Sequence, residues 1–112
     1  MSMTETEFTT LAEHTLDAIE AAVEAANASE ATDIEIERSG NVLTLELVDR
    51  SKVVINSQTP MQQLWVAARS GGFHYALLDG RWRDTRDGSE LFASLSRIIS
   101  TQGGQGIVLK PE

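Results

Sequence analysis

The sequence predicts an α+β fold: a two-layer sandwich in which an antiparallel sheet carries the N- and C-terminal helices on one face. Three observations lead there. A segment near each end of the chain repeats apolar residues at helical spacing. Between them lie short segments whose apolar and polar residues alternate, as in strands that bury one face only. The loops separating those segments are a few residues long, which suits antiparallel neighbours rather than crossovers. Two one-sided helices and a one-sided sheet bury all their apolar surface together when both helices cover the same side.

The first helix is expected over Thr4 to Ala28, where Phe8, Leu11, Ala12, Thr15, Ile19, Ala22, Val23 and Ala26 form the apolar face. In the strand Asp33–Arg38, Ile34 and Ile36 face one way, and Asp33, Glu35 and Glu37 the other. Ser39-Gly40-Asn41 turns the chain into Val42–Val48, with Leu43, Leu45 and Leu47 on the core side. Asp49-Arg50-Ser51 leads to Lys52–Asn56, and Thr59-Pro60 opens a strand running to about Ala67. Gly71-Gly72 precedes the strand Phe73–Leu78, and Asp79-Gly80 makes a tight turn into Arg81–Asp84. The second helix is expected from about Ser89 to Thr101, with Asp87 and Glu90 resembling a capping box. Its apolar side is Leu91, Phe92, Leu95, Ile98 and Ile99; Gly103-Gly104 ends it, and a short tail follows. No repeat or linker interrupts the 112 residues, so residues 1–112 read as a single domain.

Composition narrows the function. There is no Cys, which removes disulfides, thiolate metal sites and cysteine nucleophiles. A sequence pI near 4.6 argues against a nucleic-acid partner, which needs a basic footprint. No apolar run approaches the roughly 20 residues of a membrane span, and Met1 to Glu5 lacks the basic start of a signal peptide. The chain as given is therefore expected to be cytosolic, or mature after processing.

Charge is the most uneven property. Ten carboxylates and no Lys or Arg fall within the first 37 residues, so this third carries −10 and the remainder +2. Such one-sided charge works against the compact state unless something cationic, a metal ion or a basic protein, uses it. Glu13, Asp17, Glu20 and Glu24 stack as a stripe on the helix, roughly opposite its apolar face. Like charges at this spacing cost about 0.2–0.5 kcal/mol per pair, so neutralising Asp17 or Glu20 is expected to leave the fold intact or slightly stabilised.

The stretch Asn56 to Val66 carries a second signal. If Leu64 and Val66 point to the helices, Trp65 stands on the open face beside Gln63, with Asn56 and His74 also outward. An open-face Trp among amides is typical of a binding hot spot. Alternation within one strand equally permits the reverse, Trp65 inward and Leu64 outward. Trp82, between Arg81 and Arg83, is expected in the core.

On these residues the chain resembles the frataxin family, in its short bacterial CyaY-type branch. The resemblance spans nearly the whole chain. It runs through the acidic first helix, Asp33-Ile34-Glu35-Ile36-Glu37, Gly40 to Leu47, Ser51 to Asn56, Gly71-Gly72-Phe73-His74-Tyr75, Trp82 and the second helix. The spacing Asn56-x-Gln58-x-Pro60-x-x-Gln63-x-Trp65 is its specific part. The resemblance implies an iron-binding regulatory protein of iron–sulfur cluster assembly. It implies weakly bound ferrous or ferric iron, a cysteine desulfurase and an iron–sulfur scaffold protein as partners, and a bacterial cytoplasmic, monomeric setting. It also implies an acidic ridge for metal at Glu13, Glu20, Glu24, Glu30, Asp33, Glu35 and Glu37, which Asp17 extends on spacing. The implied partner-binding set is Asn56, Gln58, Gln63, Trp65 and His74. The chain departs from the family at the end of the first helix, where Ala21, Ala22, Ala25, Ala26 and Ala28 stand where relatives often pack acids. The expectation is fewer or weaker metal sites.

Carboxylate oxygens suit hard cations, and a stripe on one helix cannot surround an ion, so water must complete the shell. His14 and His74 have no partner at ligand spacing, and Ser94, Ser96 and Ser100 have no His and acid arranged around them. No catalytic constellation is present, and ferroxidase chemistry would need a multi-ligand iron centre that the sequence does not display. The alternative function is a generic acidic module that docks a basic partner and binds metal incidentally.

Overall fold

A computed structural model describes residues 3–110. The chain runs α1 (Glu5–Ala28), β1 (Glu35–Ser39), β2 (Val42–Glu46), β3 (Lys52–Gln58), β4 (Gln63–Ala68), β5 (Gly71–Leu78), β6 (Arg81–Asp84) and α2 (Leu91–Gly103). The six strands lie in sequence order in one antiparallel sheet, and both helices pack on one face of it. The expected two-layer sandwich is the observed one.

Helix α1 starts in a reciprocal capping box: the Thr4 hydroxyl accepts from the Glu7 N–H, and the Glu7 carboxylate accepts from the Thr4 N–H. It buries Phe8, Ala12, Thr15, Leu16, Ile19 and Val23. Leu16 belongs to this face although the expected pattern omits it; Leu11, Ala22 and Ala26 lie at its margin, partly exposed. Asn27 then clamps the entry to the sheet. Its side chain donates to the Ile34 carbonyl at 2.8 Å and accepts the Ile34 N–H at 2.9 Å. Ile34 is buried this way although the strand itself begins one residue later.

Several expected boundaries shift: the first strand runs Glu35–Ser39, the second ends at Glu46 and the fifth begins at Gly71. The fourth strand begins at Gln63, not at Thr59. Thr59 to Gln62 form a turn in which the Gln62 N–H donates to the Thr59 carbonyl and Gln62 takes a left-handed φ of 52°. The third strand accordingly extends to Gln58. The second helix starts at Leu91, and Glu90 rather than Asp87 caps it. The Glu90 carboxylate accepts from the N–H groups of Phe92 and Ala93, while Asp87 accepts the Ser89 N–H in a local turn. Gly104 closes α2 with a φ of 76°, which its lack of a Cβ allows.

The core lies between the sheet and the helices. Leu43, Leu45, Val53, Ile55, Leu64, Val66 and Tyr75 face Phe8, Leu16, Ile19, Val23, Leu91, Leu95 and Ile99. Trp82 joins it, as expected. Its ring meets Phe8 edge-on at 6.1 Å and its Nε1 donates to the Thr15 hydroxyl at 2.9 Å. The segment after α2 is more than a tail, because Ile107 and Leu109 are buried. The Ser100 hydroxyl donates to the Ile107 carbonyl and accepts its N–H, and the Ser96 hydroxyl accepts the Leu109 N–H. Among the described residues no helix is long and apolar enough to cross a membrane.

Candidate functional site

The uncovered sheet face gathers all five residues of the expected partner-binding set. Strand alternation sends Leu64 and Val66 into the core, which puts Trp65 on the open side and resolves the register in its favour. Cross-strand pairing then lines up Asn56, Trp65 and His74 in one row over β3, β4 and β5. Gln58 and Gln63 form the next row, which continues to Ala76 and Arg83. The Trp65 and His74 rings stack at 4.3 Å with a 9° interplanar angle. The indole Nε1–H of Trp65 donates to the Gln63 amide oxygen at 2.8 Å. The tryptophan is thus held flat and half-buried, a pre-oriented platform rather than a free side chain. Arg83, at the end of the second row, went unnoticed in the sequence. Only the register brings it beside the amides.

The acids do not form one continuous ridge. Arg38 lies on the helix-facing side of β1 and reaches into the α1 stripe, 2.9 Å from Asp17 and 3.3 Å from Glu20. The acidic helix therefore has an internal counter-charge, and the repulsion expected from the stripe is partly offset. Glu13 and Glu24 on α1 are exposed, as is Glu30, which sits just past the helix in a left-handed backbone conformation (φ 65°). Glu35 and Glu37 point to the opposite side of β1, toward the open face of the sheet.

Asp33 and Glu35 line a cleft of about 170 Å³ together with Glu46 and Arg50. Glu46 stands directly across from Glu35 in the β1–β2 pairing and from Lys52 in the β2–β3 pairing, and contacts Arg50 at 3.5 Å. Like charges facing each other across strands are unfavourable, and the neighbouring cations compensate. Glu46 is the acid that sequence spacing missed. Among the described residues, no three His, Cys, Asp or Glu side chains converge to hold a metal ion. The donor chemistry suits a hard cation, while the geometry offers open surface positions that water would have to complete. His14 is exposed on α1, away from the open face.

The Arg38 contacts bear on the effect of single neutralisations. Exposed ion pairs are worth about 0.2–1 kcal/mol, and the Asp17 side chain is 65 % exposed while that of Arg38 is 22 % exposed. Asp17→Asn is expected to change stability by less than about 0.5 kcal/mol in urea unfolding. Arg38→Ala is expected to cost about 1 kcal/mol, because it leaves both carboxylates facing an unneutralised stripe. A gain in stability for Arg38→Ala would show that the guanidinium does not serve as counter-charge.

Comparison with known proteins agrees with this architecture. The family described as Frataxin-like domain matches residues 1–105. A protein of Ralstonia nicotianae named iron-sulfur cluster assembly protein CyaY is 57 % identical over 107 residues, covering 96 % of this chain and 95 % of the relative. One of the same name from a Janthinobacterium species is 54 % identical over 109 residues, covering 96 % and 97 %. The solved frataxin of Psychromonas ingrahamii superposes with a TM-score of 0.86 at 32 % identity, covering 98 % of this chain and 99 % of that one. A trimeric frataxin from Saccharomyces cerevisiae, complexed with ferrous iron, gives a TM-score of 0.71 at 30 % identity, covering 93 % and 89 %. The match runs over nearly the whole chain in both sequence and fold, and the chain belongs to the frataxin family.

Proposed function

We propose that the protein is an iron-binding regulator of iron–sulfur cluster assembly in the bacterial cytoplasm, acting on a cysteine desulfurase and its scaffold protein and able to deliver iron. The observation that carries the reading is the presence of two unlike surfaces, acids on α1 and β1 and the oriented Trp65 row on β3 to β5, on a chain whose relatives bear that assembly name. One surface is a predominantly acidic field on α1 and β1, broken by Arg38. It suits fast, salt-sensitive association with a basic patch on the desulfurase. The other is the oriented Trp65 platform, which suits a contact with the scaffold inside the assembled complex. Iron is cargo or effector here, held by outward carboxylates among Glu20, Glu24, Asp33 and Glu35, with water filling the shell. Glu20 is shared with Arg38, so Glu24, Asp33 and Glu35 should respond most strongly. The fold does not depend on the metal.

Two measurements test this. Titration with ferrous iron, followed by NMR line broadening, is expected to centre on Glu24, Asp33 and Glu35 and to be weak; broadening confined to His14 and His74 would remove the acidic-surface assignment. Reversing two acids together, as in Glu20→Lys with Glu24→Lys, is expected to weaken desulfurase binding at least tenfold at low salt and to flatten its salt dependence. If a cluster-assembly reaction ran at the same rate with and without the protein, the generic acidic module would be the better description.

A further inference from the structure

Away from the Trp65 row and the acidic helix, the β4–β5 turn, β5 and α2 line a half-open groove of about 420 Å³. Phe73 and Ile98 form its apolar floor, and Arg69, Arg97, Thr101 and Gln102 its rim. Among the described residues no carboxylate lines it, in a chain of net charge −8.

The two arginines differ. Arg69 is already paired with Asp49 at 3.1 Å. The Ser51 hydroxyl and N–H, both donating to Asp49, hold that carboxyl below the usual carboxylate range, so the pair stays charged. Gln102 ties the rim together: its amide oxygen accepts the Arg69 N–H at 2.9 Å, and its amide nitrogen donates to the Ser51 hydroxyl and the Lys52 carbonyl. Three separate elements, the β2–β3 turn, the β4–β5 turn and the end of α2, are therefore fixed to one another before any ligand arrives. Arg97 is exposed, and among the described residues it pairs with no carboxylate within salt-bridge distance.

A fixed rim, an apolar floor and one unpaired guanidinium define the ligand by chemistry. The groove falls in the usual size range of small-molecule sites, roughly 300–1,000 Å³. Guanidinium pairs with a carboxylate or a phosphate through two parallel hydrogen bonds, and of the two the carboxylate is the less costly to seat beside an apolar floor, carrying a single charge. An aromatic floor favours a flat apolar body. We propose that this groove is a binding site for a small aryl carboxylate, its ring laid on Phe73 and Ile98 and its carboxylate paired with Arg97. The site is independent of iron and of both partner surfaces.

The test uses the whole protein and three probes in NMR titrations: 2-naphthoate, its neutral isostere 2-naphthamide, and inorganic phosphate. Saturable shifts are expected for 2-naphthoate at the amides of residues 69–73 and 97–102. The amide should bind about tenfold more weakly for want of the ion pair, and phosphate weaker still for want of an apolar body. Arg97→Gln, at an exposed position, should keep the wild-type spectrum elsewhere. It should weaken 2-naphthoate about tenfold and leave 2-naphthamide unchanged. Equal binding of the two naphthyl probes to the wild type would overturn the proposal. So would unsaturable shifts, shifts centred elsewhere, or an Arg97→Gln protein that binds 2-naphthoate as tightly as before.

Discussion

Trp82→Ala is expected to cost about 3–5 kcal/mol, the range for deleting a large aromatic from a packed core. Trp82 is 6 % exposed, stands edge-on to Phe8, and satisfies its own N–H on the Thr15 hydroxyl. It therefore ties the last strand to the first helix, two elements 67 residues apart at the Thr15 contact. Truncation removes the packing, the aromatic pair and a buried hydrogen bond together. Against the usual 5–15 kcal/mol of a domain this size, the loss is a large fraction of total stability. Trp82→Phe keeps most of the apolar surface and is expected to lose only about 1–2 kcal/mol, mainly through the missing N–H. Chemical unfolding of both variants checks the order. A Trp82→Ala protein within 1 kcal/mol of wild type would mean that the α1–β6 contact carries little of the fold.

The other tryptophan should behave in the opposite way. Trp65→Ala is expected to change stability by less than about 1 kcal/mol, because the ring lies on the open face and loses only its His74 stack and a solvent-accessible hydrogen bond to Gln63. Its effect should appear in function. A hot-spot aromatic contributes about 2 kcal/mol or more to an interface, equivalent to roughly thirtyfold in affinity for the scaffold complex. Modulation of cluster assembly should fall accordingly, while ferrous-iron broadening at Glu24, Asp33 and Glu35 stays as in the wild type. Normal modulation by a folded Trp65→Ala protein would leave the register intact and withdraw the role of this face.

The contrast between the two rings shows how far the sequence could be read. Period and alternation located both helices and all six strands, because burial on one face imposes those patterns. They could not tell Trp65 from Leu64 within one strand. Pairing with β3 and β5 was needed, since a one-residue slip reverses every side chain. Boundaries moved where side-chain chemistry replaced periodicity. Gln62 in a left-handed turn delays the fourth strand, and the Glu90 carboxylate takes over the cap expected near Asp87. The acidic surface was legible as composition but not as a map. Arg38 lies 21 residues from Asp17 in sequence, and only the packing of α1 over the edge of the sheet brings them together. Glu46 was missed for the same reason, as a cross-strand neighbour of Glu35. The Arg97 groove has no sequence signature, being assembled from a turn, a strand and a helix.

The strand order of the sheet bears on how the chain is made. Each strand pairs only with its neighbours in sequence, so hairpins can form one after another as residues leave the ribosome. Helix α1 emerges before the strands and has little to pack on until they appear. Its capping box and alanine-rich body can hold it as a solvated, strongly acidic helix through that interval, resistant to self-association because its copies repel. Ile107 and Leu109 emerge after the sheet and both helices, and with them the hydroxyl contacts of Ser96 and Ser100. The segment after α2 therefore closes a core whose first member, Phe8, was synthesised about a hundred positions earlier. Stalling before Ile107 and Leu109 emerge should leave a nascent chain with its sheet in place and its helical layer still loose.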